Sequence, residues 1–232
     1  MCGKGAATQA SPKETNWDGD VRMKILTARR VANSFPDGAL HALQHRFATV
    51  GQKARPEAFT HIQPHSHATA RLARHFVTHC YGDSAGPTPT PEEIECGAYL
   101  HDIGKYFIRD SILLKPASLD EGEMAVMSRH PVYGAALVSR LDAATKTIRR
   151  VVLYHHEHWD GTGYPEGMCG TSIPFEARVV SVVDVYTSLR SRRSYKPTLS
   201  KEGALKVLTE MAGRELDPYL SEDFVMWLSR IS

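Results

Sequence analysis

At 232 residues the chain can form one large domain or two small ones, and with 28 Lys+Arg against 26 Asp+Glu its formal net charge is only +2. That balance excludes a broad basic field for gripping DNA or RNA polymers, so an anionic ligand has to be held by a few local cations. No apolar stretch approaches the ~20 residues of a membrane span, and the polar start Met1-Cys2-Gly3-Lys4-Gly5 lacks a signal-peptide core. A cytoplasmic protein with no membrane partner is expected, its cysteines (Cys2, Cys80, Cys96, Cys169) free thiols because none is paired as C-x-x-C. The count that stands out is 12 histidines, several of them clustered.

Residues 1–20 are polar and rich in Gly, Ser, Pro and Lys, the composition of a mobile tail. Over 21–60 apolar residues recur at helical spacing (Val21, Ile25, Val31, then Leu40, Leu43, Phe47). Pro36-Asp37-Gly38 interrupts them, which predicts two short helices serving as a connector or as part of the core. Pro64 fits the first turn of the next helix, through about Cys80. On it His65, Leu72, Phe76 and His79 or Cys80 share a face, with Thr69 in the turn between. Taken alone, a histidine on an apolar face is usually a satisfied core residue.

Thr90-Pro91-Glu92-Glu93 carries a helix-start signature: Thr90 as N-cap, Pro91 at the first position, Glu93 completing a capping box. Ile94, Ala98, His101 and Lys105 then fall on one face, so His101 points inward with Ile94. His101-Asp102-Ile103-Gly104-Lys105 places an imidazole, a carboxylate and an ammonium together. A neutral imidazole ligates a transition metal, a carboxylate can ligate one metal or bridge two, and an ammonium can face a phosphate. A buried carboxylate must be paired or metal-bound.

Ser118 with Glu121 is a second capping-box candidate, opening a helix that ends near His130-Pro131. At that break His130 either aims into a cavity or complements a helix terminus. Further on, Val152, His155 and His156 stand at i, i+3 and i+4, so both imidazoles can reach the inner side. Gly161, Gly163, Gly167 and Gly170 make Glu157–Ser172 a structured loop, suited to a substrate lip or to covering the core. Ile173-Pro174 opens a helix on which Asp184 sits among Val179, Val180, Val182 and Val183; metal ligation would account for a carboxylate there. That helix runs into Arg190-Ser191-Arg192-Arg193-Ser194-Tyr195-Lys196, a cationic cluster that is solvated or holds phosphates. Lys201–Met211 and Ser221–Ile231 read as closing helices. With no sustained alternation of apolar and polar residues anywhere, the fold class is all-α.

The ordered motifs HDIGK (101–105), ILLKP (112–116), H-P-x-x-G (130–134), HHEHWDGTGYP (155–165), IPFEAR (173–178), VVDVY (182–186), R-S-Y-K (193–196) and Asp217-Pro218 strongly resemble the HD-GYP family of HD-domain phosphohydrolases. The resemblance implies a helical bundle with a Gly-rich signature loop, and a catalytic domain over 61–232. It implies a metal-dependent phosphodiesterase that hydrolyses cyclic di-GMP to linear pGpG, with GMP the alternative end product, through a metal-bridging hydroxide. His65, His101, Asp102 and Asp184 resemble one metal's ligands and His130, His155 and His156 the other's, with Asp102 bridging. Two divalent ions, Fe or Mn, are implied, and Ni or Zn also fits such ligands. Lys105 resembles the catalytic-site lysine, Arg193 and Lys196 the phosphate-binding pair, and Gly163 and Tyr164 the signature loop beside substrate. His61 stands where many members carry Glu, so a dinuclear rather than trinuclear centre is expected; Thr187 stands where Asp is usual and Ala117 where Gly is usual. No sensor domain is expected upstream, which leaves the regulatory input open, and the partner classes considered are a diguanylate cyclase or an upstream sensor protein. The alternatives are a receptor or adaptor that binds the nucleotide without turnover, and a phosphodiesterase for another cyclic dinucleotide such as cyclic GMP-AMP.

Overall fold

A computed structural model describes residues 48–49, 52–53, 55–82, 89–141, 144–191 and 198–231. The expected tail over 1–20, the helices expected between Val21 and Phe47, and Arg193 and Lys196 lie outside the described residues. The chain is helical: α1 Pro56–Tyr81, α2 Pro91–Leu100, a 3-10 helix Ile103–Phe107, α3 Asp110–Leu113, α4 Glu121–Met127, α5 His130–Val138, α6 Lys146–Tyr154, a 3-10 turn Gly170–Ser172, α7 Phe175–Arg190, α8 Lys201–Met211 and α9 Pro218–Arg230. Among the described residues there is no strand, only one isolated bridge between Ala212 and Leu216. No described helix is long and apolar enough to cross a membrane.

α7 is the axis of the bundle. Its Val179, Val180, Val182 and Val183 are all fully buried and give it a broad apolar face, and α1, α6, α8 and α9 pack against it. Phe76 of α1 meets Phe224 and Trp227 of α9 with ring centroids 5.1 and 5.5 Å apart, closing the core at the far end. A smaller cluster of Ala58, Ile62, Ile108, Ile112 and Leu113 packs beneath the start of α1.

That cluster corrects the helix start expected at Pro64. Pro56 occupies the first-turn position and α1 runs straight through Pro64, because burial of Ala58 and Ile62 outweighs the ~3 kcal/mol cost of an interior proline. The Thr90–Glu93 capping box is present as read. The second box uses Asp120 and Glu123 instead of Ser118 and Glu121: Asp120 accepts from Glu123 N at 2.9 Å, and Glu123 accepts from Asp120 N at 3.0 Å. A carboxylate N-cap also favours the helix dipole, which a serine two residues earlier does not. Cys80 and Cys96 are free thiols as expected, whereas Cys169 is disulfide-bonded. Cys96 is walled into the core, while Cys169 lies half-buried in a loop.

Candidate metal centre

Four helix ends and two helix interiors deliver the centre. His101 caps the C-terminus of α2, Asp102 precedes the 3-10 helix, His130 opens α5, and His155 and His156 leave the C-terminus of α6. His65 and Asp184 come from the middles of α1 and α7. Ligand atoms of Asp102, His130, His155 and His156 lie within 4.8 Å of one another, and so do those of His65, His101 and Asp102. Asp102 belongs to both groups, and its two oxygens face different ways. Oδ2 is 2.6 Å from Lys105 Nζ and 3.4 Å from His101 Nε2; Oδ1 is 3.2 Å from His130 Nε2 and 4.0 Å from His155 Nε2. Asp184 Oδ1 is 2.6 Å from His65 Nε2 and 3.6 Å from His101 Nε2.

The imidazoles are oriented from behind. His101 Nδ1 donates to Ala98 O at 2.6 Å, His130 Nδ1 to Met127 O at 2.9 Å, and His155 Nδ1 to Val152 O at 3.1 Å. With Nδ1 donating behind, each Nε2 faces inward as a metal-ligating histidine needs: His130 and His155 present a lone pair, and His101 a proton that a metal ion would displace. His130 and His155 therefore oppose two acceptor nitrogens at 3.3 Å, with Asp102 Oδ1 alongside. His101 Nε2, His65 Nδ1 and Asp102 Oδ1 are buried without a hydrogen-bond partner. Acceptors that converge in a dry site repel unless a cation stands among them, so the residues fit divalent metal ions.

Electrostatics separates the histidines. Burial, reinforced by the neighbouring imidazoles, holds His155 well below the usual histidine range and His156 at about 3; burial likewise lowers His130. Burial acts the same way on His101, but there the Asp102 and Asp184 carboxylates outweigh it and push it up to about 10. Burial disfavours charge on both carboxylates, yet the histidines beside them, with Lys105 at Asp102, hold both well below the usual range. Consequently, as pH falls below about 6.5 the unfolded chain protonates histidines that the folded site keeps neutral, and stability is lost. His101 works the other way, its raised pKa contributing most below about 6.5 and less as pH rises toward 10, but one raised histidine offsets only part of the effect of three lowered ones. Chelator-treated protein is therefore expected to melt at a lower temperature at pH 5.5 than at pH 7.5, measured by circular dichroism; an unchanged or higher melting point at pH 5.5 would contradict this.

The signature loop closes over His156. Tyr164 stacks on that ring at 4.9 Å and an interplanar angle of 27°. Gly163 packs on the backbone: a Cβ there would lie 2.2 Å from His158 N and 2.5 Å from His156 O, so only glycine lets the loop fold back this tightly. Glu157, which sequence reading left without a role, is 2% exposed and accepts from Glu166 N at 2.7 Å and Met168 N at 2.9 Å. It staples the loop shut from inside. Its place in HHEHWDGTGYP was the available signal. Glu157→Gln would set an amide donor against a backbone N–H and cost about 1–3 kcal/mol. Faster hydrogen exchange across 157–168 is the expected readout. Arg178 and Asp217, each in a recognised motif but unassigned, form a part-buried ion pair; Asp217 also caps α9 by accepting from Tyr219 N and Leu220 N.

A helical bundle around a buried, two-lobed His/Asp cluster suited to divalent metal ions defines the class of site. A family model described as "HD domain" matches residues 56–220, and the chain belongs to the HD-domain family. It is 47% identical over 126 residues to the "Cyclic di-GMP phosphodiesterase response regulator RpfG" of Xanthomonas campestris pv. campestris, covering 54% of this chain and 33% of that one. It is 33% identical over 181 residues to the "3'3'-cGAMP-specific phosphodiesterase 2" of Vibrio cholerae, covering 78% of this chain and 33% of that one. The chain thus spans about a third of the length of each of these two relatives. Among solved structures, the "HDG"Y"P protein" Bd1817 of Bdellovibrio bacteriovorus superposes with a TM-score of 0.60 at 18% identity, covering 93% of this chain and 74% of that one, a likeness of fold.

Proposed function

We propose that the chain is a metal-dependent phosphodiesterase that hydrolyses cyclic di-GMP to linear pGpG, with GMP the alternative end product. The observation that carries this reading is Asp102, whose two oxygens face two nitrogen-rich lobes of one buried site. His65, His101 and Asp184 would hold one ion and His130, His155 and His156 the other, with Asp102 shared. Fe or Mn suits this mixed N/O set, as Ni or Zn would. Bound divalent ions supply Lewis acidity, an acidified water and charge neutralisation at phosphorus. Lys105, its side chain 23% exposed, is placed to present an ammonium to a phosphate oxygen and to balance charge on the leaving 3′-oxygen. Tyr164 and Gly163 form the lip on which a guanine can rest, and Arg193 and Lys196 would clamp the phosphates. The catalytic domain in this reading spans 61–232, and a diguanylate cyclase or an upstream sensor protein is the partner class it would meet. A cytoplasmic location agrees with free Cys80 and Cys96, with the Cys169 disulfide pulling the other way.

The V. cholerae relative named for 3'3'-cGAMP, matched over 78% of this chain, favours cyclic GMP-AMP as a second substrate reading. Anaerobic purification with metal analysis, followed by chromatography of products from both cyclic dinucleotides, tests these readings. Two metal equivalents per chain and pGpG or GMP from cyclic di-GMP are expected. Turnover of cyclic GMP-AMP alone would establish the second reading, and metal-replete protein that cleaves neither would leave a nucleotide receptor.

A further inference from the structure

One turn beyond each of the interior ligands stands a buried threonine. Thr69 follows His65 on α1 and is fully buried; Thr187 follows Asp184 on α7 and is 5% exposed. Their hydroxyls meet at 2.8 Å. Each hydroxyl has a single proton, so one donates across the seam while the other donates to its own helix, where Thr69 Oγ1 lies 3.0 Å from His65 O and Thr187 Oγ1 lies 3.0 Å from Asp184 O and Val183 O. The backbone carbonyls of the two ligand residues are thus the supports of the bridge. α1 and α7 are joined by two rungs, His65–Asp184 at 2.6 Å and Thr69–Thr187 at 2.8 Å.

The two rungs differ in kind. His65 and Asp184 must turn their facing atoms toward a metal ion, so their own contact cannot also set the distance between the helices. The threonine rung can, because it makes no contact with the ligand atoms and its β-branched side chains have few rotamers.

Resting on the metal-centre reading above, we propose that Thr69 and Thr187 are positioning residues that fix the α1–α7 separation, and through it the affinity of the His65/His101/Asp184 lobe for its metal ion. The His130/His155/His156 lobe, built on α5 and α6, does not depend on that seam. Thr187 occupies the place where the resembling family usually has Asp; here a neutral hydroxyl pair does the holding and adds no negative charge beside Asp184.

The test uses isosteric variants. Thr187→Val and Thr69→Val keep volume and β-branching, and in either case the surviving hydroxyl can still donate to its own helix carbonyl, so no buried donor is stranded. Equilibrium dialysis against Mn²⁺ with a competing chelator reads the two equivalents separately. We expect one of the two dissociation constants to rise about 10-fold or more in each variant, the size of effect seen for outer-shell partners of metal ligands. The second constant should stay within about twofold, Thr187→Ser should restore the first, and the double variant should be no worse than either single one. A lower melting temperature with both constants unchanged would show a merely structural pair and overturn the inference, as would equal weakening of both equivalents. Wild-type protein that binds no metal would sink the parent reading and this inference with it; wild type that binds two equivalents and matches Thr187→Val would sink the inference alone.

Discussion

Asp102→Ala protein is expected to remain helical, to lose its metal and to lose turnover. Asp102 is the one side chain common to both ligand groups, so its removal takes an anionic ligand from each at once. A metal supplies several kcal/mol of transition-state stabilisation, so the fall in kcat/KM should be about 10³-fold or more at ~1.4 kcal/mol per decade. Lys105 loses its 2.6 Å partner in the same step and can swing outward, since its side chain is already 23% exposed, so no cation is trapped. Circular dichroism should therefore show a folded bundle while mass spectrometric metal analysis shows the loss. Asp102→Asn separates charge from shape: it retains the volume and one carbonyl acceptor, and still should not hold two ions. Full activity or full metal content in either variant would refute the shared-carboxylate arrangement.

Gly104→Ala is expected to damage stability and centre together, although it removes no ligand. A Cβ at 104 would lie 1.8 Å from His130 O and 2.6 Å from Gly134 N, both backbone atoms at the start and middle of α5. Backbone cannot swing aside as a side-chain tip can, so the 3-10 helix and α5 must separate. Overpacking of this kind costs about 1–3 kcal/mol, and contact with rigid backbone belongs at or above the upper end. Moving α5 also carries His130 away from Asp102 Oδ1, now 3.2 Å distant, so metal should be lost along with stability. Denaturant unfolding checks the first effect and metal analysis the second; a variant with wild-type stability would contradict the close approach of the two elements.

The burial of His101 beside Ile94, the capping box at Thr90 and the helix over 201–211 were legible in the chain because each follows from spacing within about four residues. The histidines and acids of the centre were legible as residue types in a family-like order, and the structure brings His65, His101, Asp102, His130, His155, His156 and Asp184 into one site, with Lys105 on Asp102 and Tyr164 on His156. Other features were out of reach. Local rules placed a helix start at Pro64, and a hydrophobic contact some fifty residues distant in sequence overrode them. Nothing near Glu157 says that its oxygens accept from Glu166 and Met168, and nothing near Thr69 points to Thr187.

What the sequence determined by itself, then, is the helical class, the helix faces and the set of ligand-type side chains, all matters of local period and chemical identity. Only the tertiary structure decided which oxygen of Asp102 faces which lobe, which imidazole nitrogen turns inward, and what holds α1 against α7. Those are distances between elements far apart in the chain, and they are set by the packing of the valine-rich α7 against its neighbours rather than by any pattern along it.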